Sequence, residues 1–244
     1  MSLNLPDKRN VLSAAMIAEL TDVARTLGGE ASTRAMVLSG TSKIFCAGGD
    51  LSWMKEQVNA DRATRIREAR ELAERLNALN TMPTPLIGRT QGGAFGGGVG
   101  MACVCDVVIA GDDAKFGLTE TRLGLIPATI GPYVIARMGE GRARRVFMSA
   151  RVFDAIEAET LGIVARVVPA DEMDEAVEQE VAPYLSVAPT AVGAAKALAR
   201  ALGLRIDTDV IDATIERLAD TWECDGAIQG ISAFLEKYPA PWTQ

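Results

Sequence analysis

Apolar positions switch between helical and alternating periods along the chain, and the switches predict its elements. Met16, Ile17, Leu20, Val23, Ala24 and Leu27 recur at helical spacing, with Ser13 suited to cap the start and Gly28-Gly29 to stop it. Residues 35–38 read as a short buried strand, and Ser39-Gly40 turns the chain towards Ile44-Phe45 and the small-residue turn Cys46-Ala47-Gly48-Gly49-Asp50-Leu51. Residues 61–80 are rich in Arg, Glu and Ala. Their stripe Ile66, Ala69, Ala73, Leu76 and Leu79 predicts a solvated amphipathic helix, not a basic binding patch.

Pro83 and Pro85 end that helix, and residues 85–90 read as a strand. It runs into QGGAFGGGVG (91–100), the densest glycine cluster of the chain, with a helix starting near Gly97 or Gly98. Residues 106–110 and 114–116 read as strands, and 119–122 as one turn of helix. From Gly131 the pattern is mostly helical, with a late strand at 163–168 closed by Pro169. A shift near Pro183 to Pro189 divides an α/β core, 1–188, from a helical appendage, 189–244.

Composition narrows the function classes. The chain has 244 residues, 48% apolar and 23% charged, a soluble globular profile. A net charge of −7 argues against binding duplex nucleic acid, which needs a basic face. No apolar run reaches the roughly 18 to 20 residues of a membrane span, and no cationic leader is present, so a cytoplasmic location is expected. Cys46, Cys103, Cys105 and Cys224 match no zinc spacing and read as small buried thiols; no metal is expected. Histidine is absent, which removes Ser-His and Cys-His catalysis and leaves acid-base work to carboxylates, Lys, Tyr or Cys.

The glycine cluster fails two nucleotide motifs. Counted from Gly96 and Gly98 the third fingerprint position holds Met101, counted from Gly98 and Gly100 it holds Cys103, and no Gly-Lys pair exists for a phosphate loop. A strand, glycine turn and helix start remain. Free N–H groups there suit a negative charge that develops during a reaction, although a tight turn alone would explain the glycines equally. The second glycine turn, at Gly48-Gly49, suggests two backbone walls of one site.

With both turns in place the chain resembles the enoyl-CoA hydratase/isomerase (crotonase) family over nearly its whole length. The resemblance rests on LPDKRNVLS (5–13), FCAGGDL (45–51), GGAFGGGVGMACVCDVVIA (92–110), AKFGLTETRLGLIP (114–127) and ISAFLEKYPAPW (231–242). It implies an α/β fold, a crotonase-type spiral of ββα repeats with a C-terminal helical trimerisation region, and assembly as a homotrimer or dimer of trimers. It implies a thioester carbonyl held between the N–H groups of Gly49 and Gly97, and no permanent cofactor beyond the coenzyme A of the substrate. It also implies that Glu120 takes the proton-transfer role. CoA is expected around Lys8 and Arg9, the turn residues Ala47, Gly48, Asp50, Leu51 and Gly96, and Phe234 and Lys237 of a neighbouring subunit.

Hydratases of the family carry a second glutamate where this chain has Gly100. Isomerases manage with the one at the Glu120 position, so isomerisation is the alternative to hydration of a 2,3 double bond. GGDLSWMK (48–55) and GLIPATIGPYV (124–134) resemble the bacterial branch acting on methylglutaconyl-CoA and related thioesters, for which Lys55 and Arg122 are candidate partners of a distal carboxylate. A hydrolase branch carries an aspartate after the Ile-Pro step, and this chain reads Pro127-Ala128-Thr129-Ile130-Gly131. A non-catalytic binder would have lost Glu120 or a glycine turn, and all are present. Family members have about twenty residues as a strand pair ahead of LPDKRN; with only Met1 to Asn4 there, an exposed sheet edge is expected.

Overall fold

A computed structural model describes residues 1–30 and 32–243. In chain order its elements begin with β1 (Ser2–Leu3), α1 (Ala14–Thr26), β2 (Met36–Gly40), α2 (Leu51–Asn59) and α3 (Arg62–Thr81). The middle of the chain forms β3 (Leu86–Thr90), β4 (Gly93–Phe95), α4 (Gly97–Val104), β5 (Val107–Gly111), β6 (Lys115–Gly117) and a 3-10 turn, Glu120–Leu123. Then follow α5 (Gly131–Met138), α6 (Glu140–Phe147), β7 (Val152–Asp154), α7 (Ala155–Leu161), β8 (Arg166–Val168) and α8 (Met173–Val181). The chain ends in α9 (Pro189–Leu202), α10 (Thr208–Trp222) and α11 (Asp225–Glu236).

The strands form two sheets. The larger is parallel in the order β1-β2-β3-β5-β8, and the smaller is β4-β6-β7, with β4 parallel and β7 antiparallel to β6. Successive turns of chain give one strand to each sheet and then a helix, as in β3-β4-α4 and β5-β6-α5. This is the spiral of ββα repeats that the resemblance implied. At the sheet edge, β1 pairs for only two residues, Ser2 with Ser39 and Leu3 with Gly40, so the edge it leaves is short.

Local chemistry sets the element ends. Ser13 accepts the Met16 N–H at 3.3 Å, and α1 then buries Met16, Ile17, Leu20 and Ala24. Asp61 caps α3 by accepting the Thr64 N–H at 2.8 Å. The late strand is shorter than its apolar pattern: Ile163 and Val164 are buried core residues of the loop before β8, so burial rather than pairing explains the run. Of the terminal helices, α10 and α11 share a core with the rest, while α9 buries no residue. Ile211, Ile215, Leu218 and Trp222 of α10, with Ala227 and Ile231 of α11, cluster with Ala69 and Ala73 of α3 and with Leu123, Leu125 and Ala128.

Candidate active site

The short strand β4 assembles the site through both of its edges. On one edge Cys46 bridges Ala94: the Cys46 N–H donates to Gly93 O at 3.2 Å, and the Phe95 N–H to Cys46 O at 3.0 Å. On the other edge β6 pairs from Gly93 with Lys115 to Phe95 with Gly117, and the Gly96 N–H extends the ladder to Gly117 O at 2.8 Å. The 46–51 turn and Glu120 therefore reach the start of α4 from opposite sides.

Gly48 has φ 95°, and a Cβ there would lie 2.8 Å from Phe95 O and 3.8 Å from Gly97 N. Only glycine allows both the conformation and the approach of the two turns. Gly48, Gly96 and Gly98 are buried, whereas Gly49 and Gly97 keep partial exposure, so the site opens at these two residues. Gly97 is the first residue of α4, where an N–H has no intrahelical acceptor. Among the described residues neither its N–H nor that of Gly49 donates to another backbone group. The helix dipole adds positive potential at the same end.

Glu120 opens the 3-10 turn. Its Oε1 comes within 3.0 Å of where a Cβ on Gly96 would stand, and its Oε2 is sealed from solvent without a hydrogen-bond partner. Burial pushes its carboxyl from 4.5 up to about 7, and its own backbone N–H pulls partly back. An unpartnered carboxylate costs folding stability, which fits a group held for chemistry, and near neutrality it can both take and give a proton. Gly100 faces a different neighbour: a Cβ there would collide with Ile130 Cγ2 and lie 2.8 Å from Ile130 Cβ.

The remaining sequence-predicted residues surround this centre unequally. Asp50 caps α2 by accepting the Ser52 N–H at 2.8 Å and pairs with Lys8 at 3.2 Å. That Ser52 bond first, then Lys8, holds its carboxyl below the usual range. Arg9 is exposed in left-handed backbone, φ 55°, and its carbonyl accepts the Ala47 N–H at 3.0 Å. Leu51 starts α2 and is exposed. Phe234 is exposed near the end of α11, and Lys237 caps that helix with φ 60°. The resemblance places these two in a neighbouring subunit's site, yet α11 rests on this chain's own Glu120–Leu123 turn. A Cβ on Gly230 would lie 2.6 Å from the Leu123 carbonyl carbon; the bare glycine lets the two backbones meet. Lys55 and Arg122, the candidates for a distal carboxylate, are exposed on the surface.

Two residues escaped the sequence reading. Asn10 is fully buried with φ 54°; its amide donates to Ser42 Oγ, Ile44 O and Phe45 O at 3.2 Å each, and its Oδ1 accepts the Leu5 N–H at 3.0 Å. It ties the 5–10 turn to the loop that delivers Gly48 and Gly49. The asparagine at the end of a polar turn was its only signal. Ile130 had none, because its contact with Gly100 is purely tertiary.

Burial pushes the Cys46, Cys103 and Cys105 thiols up to about 12, so they are packing groups. Cys224 is exposed, against the expectation of a buried thiol, because it lies in the turn between α10 and α11. Among the described residues no group of three or more His, Cys, Asp or Glu could hold a metal ion, and no helix is long and apolar enough to cross a membrane.

Comparison with known proteins identifies the family. The family model described as Enoyl-CoA hydratase/isomerase matches residues 1–244. The chain is 33% identical over 242 residues to the 2,3-dehydroadipyl-CoA hydratase of Escherichia coli, covering 97% of this chain and 91% of that one. Among solved structures it resembles an enoyl-CoA hydratase from Mycobacterium avium, with TM-score 0.84 and 29% identity over 99% of this chain and 92% of the other. Pseudomonas aeruginosa AtuE gives TM-score 0.80 and 36% identity over 100% and 95%. A whole-length match and relatives of nearly the same length place the chain as an enzyme of the enoyl-CoA hydratase/isomerase (crotonase) family.

Proposed function

We propose that the chain adds water across the 2,3 double bond of an enoyl-CoA thioester. One observation carries this reading: Glu120 holds an unpartnered carboxylate oxygen beside the first turn of a helix whose leading N–H is free. The thioester carbonyl lies between the Gly49 and Gly97 N–H groups, which stabilise the enolate oxygen as charge develops. One such donor contributes about 3 to 4 kcal/mol. Glu120 as carboxylate takes a proton from the water attacking the β carbon; as acid it returns that proton to the α carbon, so H and OH are added and the group is regenerated.

CoA enters as part of the substrate. Lys8 and Arg9, with Lys237 of a neighbouring subunit, supply cations for its phosphates and Phe234 of that subunit an aromatic face for its adenine, while Ala47, Gly48, Asp50, Leu51 and Gly96 form the backbone walls. The region 189–244 assembles the chain into trimers, or a dimer of trimers, in the cytoplasm. The acyl group is a branched, methylglutaconyl-like one, as in leucine breakdown, with Lys55 or Arg122 turning towards its distal carboxylate.

The name of the Escherichia coli relative supports hydration. Gly100, with Ile130 against it, favours a second reading: isomerisation, in which Glu120 shuttles one proton between the α and γ carbons. Mass spectrometry after incubation with crotonyl-CoA, 3-methylglutaconyl-CoA and a 3-enoyl-CoA separates the two. Gain of one water that is lost in Glu120→Gln supports hydration. Unchanged mass with a moved double bond makes the chain an isomerase, and no turnover of any thioester that binds overturns both.

A further inference from the structure

Ile130 stands where nothing in the proposed chemistry requires an aliphatic side chain. It is the residue before α5, 2% exposed, and its carbonyl accepts the N–H groups of Tyr133 and Val134 at 3.1 and 3.0 Å. That bonding and the packing of α5 on α4 fix it in place. The Gly100 N–H donates to Gly96 O at 3.3 Å, so the two glycines stand about one helical turn apart on the start of α4. The Glu120 carboxylate lies against the first and the Ile130 side chain against the second.

We propose that Ile130 sets the number of proton-transfer groups at this site. Its side chain fills the volume into which residue 100 would project, leaving Glu120 as the single carboxylate on the α4 wall. This rests on the reading of Glu120 given above. Three consequences follow from packing. No side chain larger than hydrogen enters at position 100 unless Ile130 gives way. The wall beside Glu120 stays apolar. A second carboxylate needs two coordinated substitutions, Gly100→Glu with Ile130→Ala.

The test is a double-mutant cycle with a titration. Melting temperatures of Gly100→Glu and Ile130→Ala are each expected to fall by roughly 5 to 10 °C, the first by overpacking and the second by a cavity. The double variant is expected to lose less than half of the summed loss, because each change relieves the other. Carbon-13 NMR of labelled glutamates then follows Glu120. Its midpoint moves upward by about one pH unit or more in the double variant, since two carboxylates on one wall resist ionising together. A packing role alone leaves that midpoint unmoved. Losses that simply add, or a midpoint in the double variant equal to that of Ile130→Ala alone, overturn the proposal. Neither readout needs turnover. Full activity in Glu120→Gln overturns the role given to Glu120, and is distinguishable from failure of the cycle.

Discussion

The two ends of α4 present opposite kinds of opening. At its C-terminal end, against α5 and α9, lies a cavity of about 1090 Å³ lined by Cys103, Asp106, Arg137 and Lys196. The polar groups there are matched: Arg137 donates to Asp106 O and Cys103 O at 3.0 and 3.4 Å, and Lys196 pairs with Asp106 at 2.7 Å. At the N-terminal end, about 12 Å away along the helix, stand unmatched groups: Glu120 Oε2 and the N–H groups of Gly49 and Gly97. Unmet hydrogen-bonding capacity distinguishes the end proposed to react from the matched one. Buried polar groups are nearly always paired unless something keeps them free.

The largest expected break in this comparison is Glu120→Gln. Removing the proposed general acid-base group should lower kcat by about 100- to 10,000-fold, read with crotonyl-CoA, while CoA-thioester binding persists. In the native enzyme kcat/KM should fall as pH drops through about 7, because the first step needs the carboxylate. Gly97→Pro comes next. Proline suits the first position of a helix and deletes only its N–H, and the added carbon meets Leu12 Cδ1, the end of a flexible side chain, at 2.8 Å. The expected loss in kcat is roughly 100- to 1,000-fold.

The third effect is on stability. The folded pKa of Glu120 lies above its ordinary value, so the folded state binds the proton more tightly. Its neutral form is accommodated below pH 4.5, and stability is lost as pH rises through about 7. Glu120→Gln should therefore unfold at higher temperature than the parent at pH 8, by on the order of 2 to 3 kcal/mol in stability, with the gap closing by pH 4.5. Equal melting temperatures across that range would remove the buried, unpartnered carboxylate from the argument. The smallest effect belongs to the matched end. Lys196→Met leaves Asp106 facing the cavity with only the Leu86 N–H, and should cost roughly 2 kcal/mol while kcat changes by less than about twofold. A larger fall in kcat there would mean that the two ends are not independent.

Much of the fold was legible before any coordinates. The stripe after Ser13 became α1 with that residue as cap and the stripe in 61–80 became α3, because the helix period and the capping oxygen are both local. Asp61 proved to be the cap of α3 and not its first helical residue. Strand ends were less legible: β2 extends to Gly40, and β8 begins only at Arg166, since pairing partners decide where an apolar run becomes a strand. At the site, the sequence singled out Gly49, Gly97 and Glu120 by motif, and suggested that two glycine turns form two walls. It was silent on Asn10 as the brace behind one wall and on Ile130 as the side chain packed against Gly100.

By itself, then, the sequence determined the elements, the family and the residue types able to act without histidine, because these depend on periodicity, composition and short motifs. Only the tertiary structure decided which of them meet. The β4-β6 pairing brings Glu120 to Gly96, the Cys46 bridge brings Gly48 to Gly97, and the packing of α5 on α4 sets Ile130 against Gly100. Those contacts join segments distant in the chain, and burial, which raises the Glu120 pKa and orphans its Oε2, exists only once they have closed.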